Sequence, residues 1–146
     1  MPLKVRYSIF YPLDHVDGIS SFSQNKLNKN HLATVSFDKT IKIYDLNSMK
    51  LINNLTEHKK GVWKSDYSPI SQIYVSGGND NQIILWDSTN YKVKNSINYH
   101  KDAIYDLKFS TNGNMIASCS KDVVCTWDLK NMNQPLNVIE GNNDYY

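Results

Sequence analysis

His58, Ser76 and Asp80 are the residue types of a serine hydrolase: a hydroxyl nucleophile, an imidazole base and a carboxylate to orient it. The chain carries such a set three times. His15, Thr34, Asp38 and the pair Tyr44-Asp45 come first; His58, Ser76, Asp80 and Trp86-Asp87 follow; His100, Ser118, Asp122 and Trp127-Asp128 close the series. The histidines lie 43 and 42 residues apart, and the terminal aspartates 42 and 41. A catalytic triad needs one nucleophile in one pocket beside oxyanion donors, and the sequence has no nucleophile elbow of the form G-x-S-x-G. Repetition predicts a structural network instead, so the chain reads as non-catalytic. Metal chemistry finds no better footing. The three histidines fall in separate repeats, and neither a Cys pair at ligand spacing nor an H-x-x-x-H arrangement occurs. Gly77-Gly78 reads as part of a turn rather than a phosphate loop, and no cofactor is expected.

Self-similarity at this period points to a repeat architecture before local propensity is consulted. Within each repeat, short alternating or wholly apolar runs are broken by turn residues, with no helical stripe of useful length. The second repeat gives strands over Val62–Tyr67, Gln72–Ser76, Gln82–Trp86 and a more exposed Tyr91–Ile97, with a turn over Gly77–Asn81. The first gives Ile19–Phe22, Leu32–Val35, Thr40–Tyr44 and Leu51–Leu55; the third gives Ile104–Phe109, Met115–Ser118, Val123–Trp127 and Leu136–Ile139. The fold class is therefore all-β, with four antiparallel strands in each unit of about 42 residues, the composition of a β-propeller blade.

The segments Leu32–Leu46, Tyr74–Asp87 and Ile116–Leu129, with the upstream His15, His58 and His100, resemble WD-repeat sequences. The resemblance implies three propeller blades, over residues 15–57, 58–99 and 100–141. It implies a structural role for each set: Asp80 in a tight turn accepts a bond from His58, whose other nitrogen reaches Ser76, and the serine hydroxyl satisfies the Trp86 indole N–H. The first repeat departs from this pattern, since Thr34 and Tyr44 replace Ser and Trp, and a weaker network is expected there. Asp122 and Asp128 are six apart where the other pairs are seven apart. A residue lost after the third turn must shorten the hairpin or shift its register, which leaves the reach of Trp127 open.

The bulk numbers set limits on partners. A net charge of +2 and a single arginine, Arg6, among 16 basic residues give almost no bidentate donor for phosphate or guanine, so nucleic acid enters only indirectly, if at all. No apolar run approaches the roughly 20 residues needed to cross a bilayer. The Tyr7–Leu13 stretch is too short, and broken by a proline, to read as a secretory signal, so the expected location is intracellular, in cytoplasm or nucleus. Cys119 and Cys125 flank a predicted hairpin turn; a cross-strand disulfide is conceivable, but both read as reduced packing residues. The 18 asparagines cluster between the apolar segments, as loop filler.

Propellers close with about 4–8 blades, and three are present, an incomplete ring. Lys4–Tyr11, within residues 1–14, reads as the outer strand of a preceding blade, and residues 142–146 as the start of another, with Asn142 at the histidine position. The expectation is a piece of a longer propeller; the alternative is self-association of two chains into a six-bladed ring, Lys4–Tyr11 completing the partner's blade. By resemblance, the function is a protein–protein interaction scaffold within a multi-protein complex. Its rim contacts carry over to Phe37, Trp63, Asn79, Tyr105 and Lys121, with Ser20 and the small residues Gly18, Gly61 and Ala103 beside them. Two alternatives stand. One is a substrate receptor of a cullin-type ubiquitin ligase, because Trp127-Asp128-Leu129-Lys130 resembles the W-D-x-R signature with Lys for Arg. The other is a subunit associated with RNA processing or chromatin.

Overall fold

A computed structural model of the chain describes residues 15–121 and 123–141. The expectations for Lys4–Tyr11, Asp122 and Asn142 lie outside the described residues. The rest forms three four-stranded antiparallel sheets, each built from strands consecutive in sequence. Blade 1 comprises β1 Ile19–Gln24, β2 His31–Ser36, β3 Ile41–Asp45 and β4 Lys50–Leu55. Blade 2 comprises β5 Val62–Tyr67, β6 Ile73–Gly78, β7 Ile83–Asp87 and β8 Val93–Ile97. Blade 3 comprises β9 Asp106–Phe109, β10 Met115–Cys119, β11 Val123–Asp128 and β12 Asn137–Glu140. The first strands meet across the blade boundaries, β1 on β5 and β5 on β9, so they form the inner line of the row. Blade 2 sits between its neighbours, and the row does not close into a ring.

Strand chemistry follows position in the blade. The middle strand β7 reads Ile-Ile-Leu-Trp because both of its faces are covered, and all four side chains are buried. The outermost β8, Val93-Lys94-Asn95-Ser96-Ile97, is exposed except at Ile97, and polar side chains guard its free edge. Each sheet therefore has two apolar faces to bury. In blade 2 the face turned toward blade 1, here called leading, carries Val62, Tyr67, Tyr74 and Trp86. The opposite, trailing face carries Val75, Gly77, Ile83 and Ile97, as the pairings Tyr74↔Trp86, Gly77↔Ile83 and Ile83↔Ile97 require.

The core accordingly lies between blades rather than within them. One buried cluster joins Ala33, Val35, Ile41, Ile43 and Leu55 of blade 1 to Val62, Tyr67, Tyr74 and Trp86 of blade 2. A second joins Val75, Ile83, Leu85 and Ile97 of blade 2 to Ile104, Leu107, Ile116, Cys125 and Trp127 of blade 3. The first seam also holds hydroxyl pairs, Ser23–Ser65 at 3.1 Å and Tyr67–Tyr91 at 3.1 Å, with His31 Nδ1 3.0 Å from the Tyr91 oxygen. In the second seam Asp66 accepts the Phe109 backbone N–H at 3.1 Å.

Several boundaries differ from the sequence reading, each for a reason of packing. Gly77 and Gly78 belong to β6, not to the turn. A Cβ on Gly77 would lie 2.7 Å from Leu107 Cδ2 and 2.9 Å from Ile104 Cγ2, and one on Gly78 would run into the Gly61 carbonyl oxygen. These glycines are needed for close approach. The turn is 79–82, with Asn81 supplying the positive φ of 66°. Tyr91 is not the first residue of β8. It closes a turn at φ 56°, its N–H bonded to the Asp87 carbonyl at 2.7 Å, and Met49 repeats this conformation in blade 1 at φ 55°. Ile104 lies ahead of β9 yet donates its N–H to Gly78 O at 3.0 Å. Cys119 and Cys125 are both free; Ser118, not Cys119, pairs with Cys125, so the two thiols point to opposite faces of blade 3.

The one-residue deletion in blade 3 resolves cleanly. Ser118↔Cys125 and Ile116↔Trp127 repeat the register of Ser76↔Ile84 and Tyr74↔Trp86, so the ladder is unshifted and the turn alone is shorter. Gly78→Ala forces backbone apart and should destabilise the chain by about 3 kcal/mol, whereas Gly77→Ala meets side-chain tips and should cost about 1 kcal/mol. Urea unfolding midpoints of the two variants measure the difference.

Candidate functional site

Among the described residues, each repeated set contributes a chain of hydrogen bonds between elements of its own blade. In blade 2, His58 arrives on the loop ahead of β5, Ser76 on β6, Trp86 on β7 and Asp80 in the turn between them. His58 Nδ1 lies 2.9 Å from Asp80 Oδ2, His58 Nε2 lies 2.8 Å from Ser76 Oγ, and Trp86 Nε1 lies 2.9 Å from the same oxygen. The indole can only donate, and the ionised carboxylate can only accept. The direction is thereby fixed: Trp86 N–H to Ser76, Ser76 O–H to His58 Nε2, His58 Nδ1–H to Asp80. Asp80 also accepts the backbone N–H of Lys59 at 2.9 Å and of Gln82 at 3.3 Å. Burial alone would raise the Asp80 carboxyl, but His58 and these backbone donors outweigh it and hold it below the ordinary carboxylate value.

Blade 3 repeats the arrangement across its shortened turn, with His100 Nε2 and Trp127 Nε1 each 2.8 Å from Ser118 Oγ. Trp127 thus reaches its serine. His100 Nδ1 has no partner among the described residues, which do not include Asp122. Burial holds the His100 imidazolium below its usual pKa.

Blade 1 is built differently. His15 Nδ1 lies 2.8 Å from Asp38 Oδ2, and His15 Nε2 lies 2.8 Å from Thr34 Oγ1. Tyr44 stands at the tryptophan position, so no indole is available to the hydroxyl. A residue that the sequence reading missed, Thr40, supports the carboxylate instead, donating its hydroxyl to Asp38 Oδ1 at 2.6 Å and its N–H to the same oxygen at 2.9 Å. Its signal was a hydroxyl two residues beyond the turn aspartate, where blade 2 has Gln82. Burial pushes the Asp38 carboxyl up, but Thr40, His15 and the Val16 N–H more than reverse this and bring it down to about 2.

In blade 2 this geometry leaves no usable nucleophile. Ser76 is fully buried, and its hydroxyl proton and lone pair are both committed. No group of His, Cys, Asp and Glu among the described residues is arranged to hold a metal ion. What the chains of blades 1 and 2 do is tie the entering loop of a blade to the β-turn beside it, and those two segments form one rim.

On that rim the five carried-over positions fall into two groups. Phe37, Trp63 and Tyr105 form a continuous row, with ring centroids 5.8 Å apart for Phe37–Trp63 and 5.4 Å for Trp63–Tyr105. Asn79 and Lys121 are exposed on the turns of blades 2 and 3. The row has a backbone cause. The β1–β2 register slips between Ile19 and Ser21, and the β5–β6 register slips between Val62 and Lys64, which makes Ser20 and Trp63 bulge residues. A bulge re-aims its side chain, and Trp63 is turned onto the rim rather than into the sheet. Tyr105 holds the same place ahead of β9, anchored by its N–H on the Cys119 carbonyl at 2.9 Å. Gly18 and Gly61 serve the row as space: a Cβ on either would press on the Phe37 ring at 3.3 Å. Ser20, by contrast, is spent on structure, donating to the Val62 carbonyl at 2.5 Å. Phe37 and Tyr105 remain 44% and 41% exposed, which leaves ring faces open to solvent.

Comparison with known proteins fits this geometry. The profile of the WD domain, G-beta repeat family matches residues 9–45, 49–87 and 91–128. Each matched stretch ends at the aromatic–Asp pair, so 49–87 contains β4 of blade 1 together with β5–β7 of blade 2. A sequence repeat therefore straddles a seam and ties neighbouring blades covalently. WD repeat-containing protein 37 of Mus musculus is 28% identical over 111 residues, 74% of this chain and 22% of the relative. Coronin-2A of Bos taurus is 30% identical over 121 residues, covering 74% of this chain and 23% of its own length. E3 ubiquitin-protein ligase COP1 of Arabidopsis thaliana is 29% identical over 126 residues, covering 84% and 18%. The chain spans about a fifth of the length of these relatives.

Two measurements probe the sets. Ser76→Ala strands both His58 Nε2 and the Trp86 N–H, while Thr34→Ala strands only His15 Nε2; about 2–4 and about 1–2 kcal/mol of destabilisation are expected, respectively. Urea unfolding orders the pair. Asp38 has a folded pKa near 2 and an ordinary value of 3.8, so its contribution is complete above pH 3.8 and is lost as pH falls toward 2. Asp38→Asn should therefore lose less stability than the parent chain between pH 5 and pH 2.5, read from urea midpoints at each pH.

Proposed function

The chain belongs to the WD-repeat family, a non-catalytic interaction fold, and from that premise we propose that it acts as a scaffold subunit of a multi-protein complex. The binding surface in this reading is the rim of Phe37, Trp63 and Tyr105, flanked by Asn79 and Lys121. The observation that carries it is the aromatic row itself: Phe37 and Tyr105 keep ring faces open on either side of Trp63, which a bulge places between them. Interface hot spots are rich in Trp and Tyr because a rigid aromatic side chain buries a large area at little entropic cost. Loops fixed by a rigid scaffold are where such residues act. The partners are other proteins, a second copy of this chain among them.

A second reading, a ubiquitin-ligase substrate receptor, draws support from the likeness to a relative named as an E3 ubiquitin-protein ligase. In that reading Lys130, whose N–H bonds Asp128 Oδ1 at 2.9 Å, takes the cation position of the receptor signature. Co-purification of a cullin adaptor that is lost in Lys130→Ala would select it over the scaffold reading.

The rim reading is tested with Trp63→Ala and Tyr105→Ala, compared with wild type by cross-linking and affinity capture. Both variants are expected to keep the strand-rich circular dichroism spectrum. Each should weaken capture of the bound proteins by about 30-fold, the effect of losing a 2 kcal/mol hot spot. Unchanged capture by both folded variants removes the rim from the account.

A further inference from the structure

The two seams differ at the level of the turns that follow the aromatic–Asp pairs. In the first seam that level is filled by Tyr91, four residues after Asp87 and 5% exposed. Its hydroxyl lies 3.1 Å from the Tyr67 oxygen and 3.0 Å from His31 Nδ1, so one ring with a polar tip joins blades 1 and 2 there. In the second seam all three positions have changed. Met132 stands four residues after Asp128, and by register Phe109 takes the place of Tyr67 and Ile73 that of His31. A methionine is a flexible chain rather than a plate, and the bonded hydroxyls are gone. At this level blades 2 and 3 enclose a cavity of about 330 Å³, at the small end of the range for ligand sites. Strands β6–β8 wall it on one side and residues 129–133 on the other.

The lining divides by chemistry. Ile73, Leu85, Leu129 and Met132 make its apolar part, continuous with the buried cluster of this seam. Lys94, Lys130, Asn95, Asn131 and Asn133 make its polar part, and among the described residues no carboxylate lines it. Lys94 is placed by a bulge: the β7–β8 register slips between Leu85 and Trp86, and Lys94 is the extra residue. The corresponding slip in blade 1 places Ile52, so the charge enters with the second seam. Lys94 Nζ lies 3.9 Å from Asp87 Oδ2, beyond hydrogen-bond reach, and no carboxylate pairs with Lys130 among the described residues. Asn95 and Asn131 spend their side-chain oxygens on the backbone N–H groups of Ser96 and Asn133, at 2.9 and 3.4 Å, which leaves their amide NH₂ groups as donors. The cavity thus offers apolar room inside, and donors with positive charge around it.

We propose that this cavity is a binding site for a small aromatic carboxylate, its ring on Leu85 and Met132 and its carboxylate at Lys94 and Lys130. Such a ligand supplies what Tyr91 supplies in the first seam, a flat apolar body with a polar tip, and its charge answers the two lysines. The site uses no residue of the aromatic rim and is independent of the scaffold reading.

The test is titration of the isotope-labelled chain with sodium phenylacetate, followed by amide chemical shifts in NMR spectra. A dissociation constant of about 1 mM is expected for so small a ligand, so the titration runs to about 20 mM. Saturable shifts should appear at residues 73, 85, 93–95 and 129–133. Sodium acetate, which has the charge without the ring, and phenylacetamide, which has the ring without the charge, should each bind more weakly by about 5-fold or more. Lys94→Gln, at a half-exposed side chain, should weaken phenylacetate by about 5-fold. Met132→Tyr puts the ring of the first seam in place and should abolish the shifts; Met132→Phe replaces it if its circular dichroism departs from wild type. No saturable shift at these residues, equal affinity for phenylacetamide, wild-type affinity in Lys94→Gln, or binding that survives in the folded ring variant would each overturn the proposal. Lys94 has no part in the ligase reading, so its variant tests this site alone.

Discussion

A four-stranded twisted sheet with two apolar faces cannot be stable alone, and everything else in this molecule follows from that constraint. Ala33, Val35 and Ile41 line one face of blade 1 with Ile43 and Leu55, and that face is buried in a cluster shared with Val62 and Tyr67 of blade 2. The core is thus distributed over two seams, and among the described residues blade 2 takes part in both. Nearest-neighbour packing of this kind makes stability a sum over seams. The same logic explains why the glycines of β6 are where they are. Gly77 lets blade 3 approach, and Gly78 lets the loop at Gly61 approach.

Apolar packing sets how far apart the blades are but does not specify the loops. That task falls to the buried polar chains. In blade 2 a single path of donors runs from the Trp86 indole through Ser76 and His58 to Asp80, joining two strands, a turn and the entering loop. Every buried group on the path has a partner, and a break at any point leaves a desolvated donor or acceptor behind. The residue types resemble a hydrolase triad because both uses need an imidazole held between a hydroxyl and a carboxylate. The difference lies in access: here the hydroxyl is sealed under an indole. The loop so fixed leads into the bulge that turns Trp63 onto the rim, which connects the polar path to the proposed recognition surface.

Much of this was legible in the sequence. The 42-residue period, the alternating strands and the recurring His, Ser/Thr, Asp and aromatic positions lead to three four-stranded sheets, because spacing and side-chain period both survive translation into backbone geometry. The positions that misled were those where tertiary contact overrides local preference. Gly77-Gly78 reads as a turn, yet it is strand, kept bare by Leu107 and Ile104 from another blade. Tyr91 reads as a strand residue, yet it sits at positive φ with its hydroxyl on Tyr67 and His31. Thr40 escaped notice because its role appears only once the turn brings it back onto Asp38. The deletion in blade 3 left two outcomes open in sequence, and the unshifted β10–β11 ladder chose between them.

In blade 2 the polar chain fixes its own loop and turn, and thereby the rim, independently of the other blades. Hydrogen exchange measured by mass spectrometry on the wild type and on Ser76→Ala tests it most directly. Ser76→Ala should lose protection over residues 58–63 and 76–82, with residues 31–45 and 115–128 as protected as before. Unchanged exchange at 58–63, or an equal loss across all three blades, would contradict it.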